Sequence, residues 1–141
     1  RGLMQILHST AKKEVRLLRP GYISKRDKTH LKRKIRSRKS LFNAKLNVII
    51  GVHYLKGLMK KYKNIVHALA AYNAGPRKVN EWLKLIPSEN NLYFIEKIPY
   101  LETKNYVKLI LRNYFYYKKL YQQDQKTPSQ KKYLASLLSN H

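Results

Sequence analysis

The amino-acid sequence predicts a mainly α-helical protein with little or no β-strand. Apolar residues recur at intervals of three and four along several stretches of the chain, which is the spacing of one face of a helix. Gly and Pro stand at the ends of these stretches, where helices stop and start. The length of 141 residues is that of one domain, long enough to bury a core.

The first predicted helix follows an apolar entry segment at residues 2–7. We expect Ser9 or Thr10 to cap this helix, because a hydroxyl oxygen can accept a hydrogen bond from a free backbone N–H of the first turn. Pro20-Gly21 is expected to end it. The residues that share its apolar face are Ala11, Val15 and Leu18.

Residues 22–40 carry nine Lys and Arg against the single acid Asp27. No sustained apolar period is evident there, so we expect an exposed connector, inserted at the surface, that could bind polyanions non-specifically.

A broad helix is predicted after Phe42, followed by a buried one at residues 65–74. The first has apolar residues every four positions, and the second is almost wholly apolar and small. Gly75 suits the left-handed position after a helix, and Pro76 can open the next one. The apolar stripe of the first of these helices consists of Leu46, Ile50, Tyr54, Leu58 and Tyr62, widened by Ile49, Val52, Leu55 and Met59.

Two more helices are expected, separated by a loop at residues 87–99. The shorter one precedes the loop, and Thr103 is expected to cap the longer one after it. Beyond residue 121 we expect a polar tail, 122–141, with a weak helix at 130–138. The apolar face of the shorter helix consists of Val79, Trp82, Leu83 and Ile86, and that of the longer one of Val107, Ile110, Leu111, Tyr114, Tyr117 and Tyr121.

The charge balance narrows the classes of partner. The chain has 31 Lys and Arg against 7 Asp and Glu, a formal net charge of +24, which favours polyanions such as nucleic acid or acidic cell-wall polymers. The same composition is also typical of an AT-rich genome. There is no Cys and hence no disulfide framework. No apolar run is long enough to span a membrane, and no signal peptide is visible in a chain that begins at Arg1.

Three short motifs follow one another along the chain. They are Gly2-Leu3-Met4-Gln5, Ala71-Tyr72-Asn73-Ala74-Gly75-Pro76, and the stretch at residues 94–103 that reads FIEKIPYLET. Together they resemble the catalytic domain of the soluble lytic murein transglycosylases, which has a goose-lysozyme-like fold. The resemblance covers residues 1–121.

The resemblance implies an activity on peptidoglycan, in the periplasm or cell envelope. Members of the family cleave the MurNAc-β-1,4-GlcNAc bond of the glycan strands and leave 1,6-anhydromuramic ends. No cofactor is implied. No metal is expected either, since none of the five His residues has an acid or thiol neighbour at ligand spacing.

The resemblance also implies roles for individual residues. Met4 and Gln5 would contact the acetamido and lactyl groups of the glycan, and an amide offers both a donor and an acceptor for that purpose. Tyr72 would lie against the catalytic carboxylate, and Asn73 would line the cleft beside it. Glu102 would be the second, supporting glutamate of the cleft. From the residues alone, each of these side chains also fits an ordinary structural role.

Two positions depart from the family pattern. Lys104 stands where the family has Arg, and any bidentate contact made by the planar guanidinium of that Arg is lost. Leu7-His8 stands where the family usually has Met-Pro, so the start of the next helix is expected to differ.

The catalytic glutamate of the family has no counterpart among these residues and is expected N-terminal to Arg1. We expect Glu14, which follows Lys12-Lys13, to be solvated and unable to replace it. The isolated chain is therefore expected to be inactive, as a fragment of an enzyme or as a non-catalytic, peptidoglycan-binding pseudoenzyme. A third hypothesis is a basic nucleic-acid-binding protein that stacks bases on the tyrosines of the last helix.

Overall fold

The computed structural model describes residues 3–18, 25–87 and 89–124. Within these ranges the regular structure is wholly helical, which confirms the predicted fold class, and the chain divides after Leu85 into two compact units. The α-helices are α1 (His8–Leu17), α2 (Lys25–Lys34), α3 (Ala44–Tyr62), α4 (Ile65–Ala74), α5 (Pro76–Leu85), α6 (Asn91–Lys97) and α7 (Leu101–Asp124), and a short 3₁₀ helix spans Arg38–Phe42.

An apolar cluster lies where α1, α3 and the 3₁₀ helix of the first unit meet. Every member is almost completely buried, and Met4, Leu31 and Tyr72 pack against it while staying partly accessible. Because apolar area removed from water is the main stabilising contribution to folding, this cluster fixes α1 on α3. The buried members are Ile6, Ala11, Val15, Leu18, Ile35, Leu41, Leu46 and Ile50.

Helix α1 begins earlier than its sequence predicts. Leu7 occupies the capping position without a side-chain cap, and Ser9 and Thr10 lie inside the helix, so the expected hydroxyl cap is wrong. A tertiary contact accompanies the earlier start, since the Nε2 atom of His8 lies 2.7 Å from the carbonyl oxygen of Ile35. The predicted end at Pro20 lies outside the described residues, and α1 ends at Leu17.

The basic stretch at 22–40 differs from the exposed connector that we expected. Its residues 25–34 form α2 and the 3₁₀ helix begins at Arg38. Leu31 packs on the apolar cluster and Ile35 is buried. These two apolar residues are four apart, which is enough to dock one helical turn. The basic side chains at 32–34, 36, 38 and 39 are exposed, as expected.

Helix α3 is the predicted broad helix. Asn43 caps it by accepting a hydrogen bond from the backbone N–H of Leu46 at 2.9 Å. Leu46, Ile50 and Leu58 of the predicted stripe are buried. The predicted widening is only partly confirmed, because Val52 is 51% exposed and Met59 is 38% exposed.

Helix α4 is the predicted buried helix, with the predicted bounds. Asn64 caps it, accepting from the backbone N–H groups of Val66 and His67, and the run 66–71 is buried. Gly75 has φ of 90°, a conformation that favours glycine. Pro76 then opens α5 at once, as predicted. In α5, Val79 and Trp82 form the buried face.

The second unit contains α6 where we expected a loop. Asn90 caps this helix, accepting from the backbone N–H groups of Leu92 and Tyr93, and Phe94 and Ile95 are buried. Asn is a preferred capping residue, and the expectation of a loop is wrong for residues 91–97.

Helix α7 starts at Leu101. Thr103 is therefore inside the first turn, where it is buried, and the expectation that it caps the helix is wrong. Val107 is buried as predicted, but Tyr114, Tyr117 and Tyr121 are 49%, 60% and 64% exposed, so the predicted core stripe ends in the first half of the helix.

No helix among residues 3–18, 25–87 and 89–124 is long and apolar enough to cross a membrane. The weak helix predicted at 130–138 lies outside the described residues.

Candidate functional site

The backbone of Met4 is held from one side by helix α3. Its N–H donates a hydrogen bond of 2.6 Å to Oδ1 of Asn47. The Nδ2 group of Asn47 in turn donates to the carbonyl oxygen of Leu41 at 3.0 Å. Asn47 is fully buried, and a buried amide stays in place because leaving its polar atoms unpaired would be costly.

Helix α4 holds the same residue from the other side. The phenolic O–H of Tyr72 donates a hydrogen bond of 2.8 Å to the carbonyl oxygen of Met4. Tyr72 lies in the last turn of α4 and is partly buried. Both backbone polar groups of Met4 are therefore bonded to side chains of the helical core.

The side chain of Met4 fits against a glycine of α3. A Cβ atom built on Gly51 would lie 2.7 Å from both Cβ and Cγ of Met4, closer than nonbonded carbon atoms approach. Glycine at position 51 therefore allows the close approach of Met4 to α3.

Gln5 adopts an uncommon backbone conformation. Its φ is 54°, in the left-handed region, which costs a non-glycine residue about 1–2 kcal/mol. Its side chain is exposed. A strained residue persists where its surroundings fix it, and here the neighbouring Met4 is bonded on both sides. The amide of Gln5 is thus displayed to solvent from a fixed backbone.

An aromatic pair supports Tyr72. The ring centroids of Tyr54 and Tyr72 lie 5.3 Å apart at an interplanar angle of 43°, within the range of favourable aromatic contacts. Burial raises the pKa of Tyr54 above its ordinary value of 10.0, and the negative charge of Glu14 adds to the effect. Tyr54 therefore keeps its proton at neutral pH and remains a neutral support.

Glu14 is buried, which corrects our expectation that it would be solvated. Its side chain is 8% exposed, and its Oε2 atom lies 2.7 Å from Nδ1 of His53. The pattern of α1 contains the signal that we missed. Position 14 falls between the buried positions 11, 15 and 18 of the same face, whereas Lys12 and Lys13 point to solvent.

Asn73 and Glu102 are both exposed. Asn73 is the penultimate residue of α4. Glu102 lies in the second unit, in the first turn of α7, where a negative charge is favourable beside the helix N-terminus. Each carries a polar group accessible to a ligand.

Glu96 is bound by the lysines of α7. Lys108 Nζ lies 2.5 Å from one carboxylate oxygen and Lys104 Nζ lies 3.9 Å from the other. The hydrogen bond from Lys108 lowers the pKa of Glu96 most, and the charges of Lys108 and Lys104 add to it. Glu96 is therefore an ion-paired carboxylate, and one of its partners is Lys104, which stands where the family has Arg.

Residues 1–95 match the model of a protein family described as Transglycosylase SLT domain. The chain belongs to this family. It is 34% identical over 120 residues to the soluble lytic murein transglycosylases of Escherichia coli K12 and Salmonella typhimurium, and 34% identical over 119 residues to a putative soluble lytic murein transglycosylase of Haemophilus influenzae.

Each of these matches covers 83% of this chain and 17% or 18% of the relative. The SLT-domain chain thus spans less than a fifth of the length of these curated relatives. No solved structure gives a significant match to it.

Within this SLT domain, the structure brings two of the sequence-predicted site residues, Met4 and Tyr72, into direct contact, and their roles towards a glycan stay predictions. The sequence did not single out Asn47, Gly51 or the pair of Glu14 and His53. Asn47 and Gly51 stand out in retrospect as a polar and a small residue on the apolar face of α3.

The described residues of the SLT domain contain no group of three or more His, Cys, Asp or Glu side chains that could hold a metal ion. His67 is buried in α4, and this burial lowers its pKa below the ordinary value of 6.5. It is therefore a neutral core residue at pH 7.

Proposed function

We propose that this chain binds the glycan strands of peptidoglycan, and that Met4, Gln5, Tyr72 and Asn73 provide the contacts. The observation that carries the proposal is the double anchoring of Met4, by Asn47 at 2.6 Å and by Tyr72 at 2.8 Å. Preorganised contacts bind more tightly because less conformational entropy is lost on binding.

The chemistry of these side chains fits an N-acetylated sugar. The exposed amide of Gln5 can donate to the acetamido carbonyl and accept from its N–H. Asn73 offers the same pair of groups, and the partly buried Met4 offers an apolar surface for the acetamido methyl group. SLT-family membership and the 34% identity to murein transglycosylases support this substrate class.

The proposed reaction is lytic cleavage of the MurNAc-β-1,4-GlcNAc bond, in the periplasm or cell envelope. A glutamic acid donates its proton to the glycosidic oxygen as the C1–O bond breaks, and the 2-acetamido group stabilises the positive charge. The resulting carboxylate takes the proton of the 6-hydroxyl as O6 bonds to C1. The product is a 1,6-anhydromuramic end, and no water is consumed.

We assign the general acid to none of the described residues. A general acid must reach the glycosidic oxygen within hydrogen-bonding distance and keep its proton. Glu14 is enclosed beside His53. Exposed Glu81 and Glu96 have a pKa lowered mainly by hydrogen bonds from Lys78 and Lys108, so they are ionised at neutral pH.

Glu102 and Tyr72 keep supporting roles in this proposal. Exposed Glu102 would orient groups around the acid, and Tyr72 would lie against it. A non-catalytic peptidoglycan-binding protein is the alternative, and both versions require the same glycan contacts.

Polyanion binding is a second candidate function. The net charge of +24 and the exposed Tyr116 and Tyr117 beside Lys118 and Lys119 favour it, since aromatic and basic side chains together bind single-stranded nucleic acid. This second candidate function gives no role to the anchored backbone of Met4.

Incubation with purified murein tests the first proposal. We expect the folded 141-residue chain to sediment with murein and to release no 1,6-anhydromuramic product detectable by mass spectrometry. Gln5→Ala should weaken sedimentation, whereas Lys13→Ala, an exposed control in α1, should leave it unchanged.

Two outcomes would contradict the proposal. A folded chain that stays in the supernatant would exclude glycan binding. Release of the anhydro product would show that a residue of this chain is the general acid, and Glu102→Gln would be the next variant to examine.

A further inference from the structure

Glu14 and His53 form a buried polar pair that the proposed glycan contacts do not include. Among the acids whose side chains the structure describes, Glu14 is the buried one. We propose that Glu14 and His53 are positioning residues, which hold Met4 and Gln5 in the geometry that contacts the glycan. This inference rests on the proposed function of these two residues.

The pair is unusual in energetic terms. Placing a carboxylate and an imidazole where they are 8% and 18% exposed removes most of their hydration, and a buried polar pair often stabilises a fold less than apolar residues of the same size would. What the pair does provide is a directional contact between α1 and α3. The 2.7 Å contact fixes the register of α1 along α3, which apolar packing alone specifies less sharply.

One route from the pair to Gln5 runs through the backbone. Helix α1 begins at His8, three residues after Gln5, and Ile6 between them is buried in the apolar cluster. Fixing α1 therefore fixes the chain on the C-terminal side of Gln5. On the N-terminal side, Asn47 of the same helix α3 holds the N–H of Met4.

A second route runs through aromatic side chains. Tyr54 directly follows His53 in α3. The ring of Tyr54 contacts that of Tyr72 at 5.3 Å, and Tyr72 donates to the carbonyl oxygen of Met4. The part of α3 that carries His53 is thus also connected to the segment through these two rings.

Both routes restrain the segment that contains Gln5. Gln5 has the left-handed φ of 54°, which an unrestrained glutamine would leave for a more favourable region. Restraint on both sides keeps Gln5 in this conformation and its amide in a fixed place.

The decisive variant replaces both partners, Glu14→Leu with His53→Leu. Exchanging a whole buried pair for apolar residues commonly preserves folding, whereas removing one partner leaves a buried charge. The variant should therefore stay folded while it loses the directional contact. Glu14→Gln is the conservative variant, because its amide oxygen can still accept from the ring of His53. Lys12→Ala is the control, an exposed change on the same helix.

Two readouts separate positioning from stability. The first is the amide NMR resonances of Met4 and Gln5 in the free protein, and the second is the dissociation constant for a soluble murein tetrasaccharide. In the double Leu variant we expect both resonances to shift and the affinity to fall on the order of tenfold. The single variant Glu14→Gln should keep most of the affinity of the unsubstituted chain, and Lys12→Ala should change neither readout.

The same measurements in a Gln5→Ala background complete the test. If the pair acts by positioning Gln5, the double Leu substitution should weaken binding much less once the Gln5 side chain is gone. An equal loss in both backgrounds would overturn the proposal, as would unshifted amide resonances of Met4 and Gln5, or an unchanged affinity in a folded double Leu variant.

Failure of the proposed function would look different. If the unmodified chain binds no tetrasaccharide, glycan binding is wrong, and with it the functional part of this inference. The amide resonances would still report whether Glu14 and His53 fix the conformation of Gln5.

Discussion

The hydroxyl group of Tyr72 donates a hydrogen bond of 2.8 Å to the carbonyl oxygen of Met4, a residue 68 positions earlier in the chain. One tyrosine therefore joins the end of helix α4 to the segment that precedes α1. Two of the motifs that pointed to the murein transglycosylases meet in this single contact.

Removing this hydroxyl should affect both stability and glycan binding. Tyr72→Phe keeps the ring that contacts Tyr54 but leaves the carbonyl of Met4 without its donor. We expect the free energy of unfolding to fall by about 1 kcal/mol, the net value of a typical hydrogen bond. The affinity for murein fragments should fall as well, because Met4 and Gln5 lose one of their anchors. Urea denaturation and a titration with murein fragments measure the two effects.

Tyr62→Phe is the matched control for this prediction. The hydroxyl group of Tyr62 lies 2.9 Å from Oδ1 of Asn80 and 3.1 Å from the carbonyl oxygen of Pro76, and none of the bonded groups belongs to Met4. This variant should lose a similar amount of stability with unchanged glycan affinity. Equal losses of affinity in the two variants would show that Tyr72 has no special role.

Alanine substitution at two glycines of α3 should have opposite effects. Gly51→Ala places a methyl group 2.7 Å from Cβ and Cγ of Met4. Either Met4 or α3 must then move, and overpacking of this kind typically costs about 1–3 kcal/mol. We expect a lower urea midpoint and weaker glycan binding, because the displaced residue is a proposed contact.

Gly57→Ala is the internal comparison on the same helix. A Cβ atom at Gly57 meets nothing within 4 Å, so only the helix propensity changes. Alanine should stabilise α3 by about 0.5–1 kcal/mol and leave glycan affinity as it is. Destabilisation by Gly57→Ala, or a neutral Gly51→Ala, would contradict the packing that we describe.

The helices that the sequence predicted well are those whose local and tertiary signals agree. Helix α4 has the predicted bounds because its small apolar run lies between the cap Asn64 and Gly75. Helices α2 and α6 were missed because each depends on only two apolar residues, Leu31 and Ile35 in one case and Phe94 and Ile95 in the other. Two apolar residues stabilise a helix only when they pack against a core, because most helical stability in proteins comes from tertiary packing.

The candidate site was predictable in part for a similar reason. Met4 and Tyr72 were named from motifs, and the structure joins them, although their role towards a glycan stays a prediction. Asn47 was not singled out and Glu14 was wrongly expected to be solvated, because the partner of each polar residue is distant in sequence, 43 positions for Asn47 and 39 for Glu14. Composition and periodicity do not indicate which polar side chain will find a partner.

The burial of His67 should make folding sensitive to pH. Burial lowers its pKa below 6.5, so the folded state binds its proton less readily than the unfolded state does. The stability contributed by neutral His67 is complete above pH 6.5 and is lost as the pH falls from 6.5 towards the folded pKa. We expect the free energy of unfolding to decrease between about pH 7 and pH 5, by at most about 1.4 kcal/mol per pH unit from this residue.

The variant His67→Gln isolates this contribution, because the other histidines remain in place. Its unfolding free energy should vary less with pH over the same interval. Urea denaturation at a series of pH values compares the two proteins, and parallel pH profiles would show that His67 does not contribute.

Salt should separate glycan binding from the general attraction of a chain with a net charge of +24. Binding to a DNA oligonucleotide should weaken steeply, by at least about tenfold between about 50 and 200 mM salt, because it depends on releasing counterions from phosphates. Binding to an uncharged oligomer of N-acetylglucosamine should change little, since Gln5 and Asn73 would recognise it through amide groups. Fluorescence titrations at several salt concentrations measure both. Sequence-selective DNA binding that persists at high salt would instead favour nucleic acid as the physiological partner, because selectivity requires contacts to bases that non-specific charge attraction does not supply.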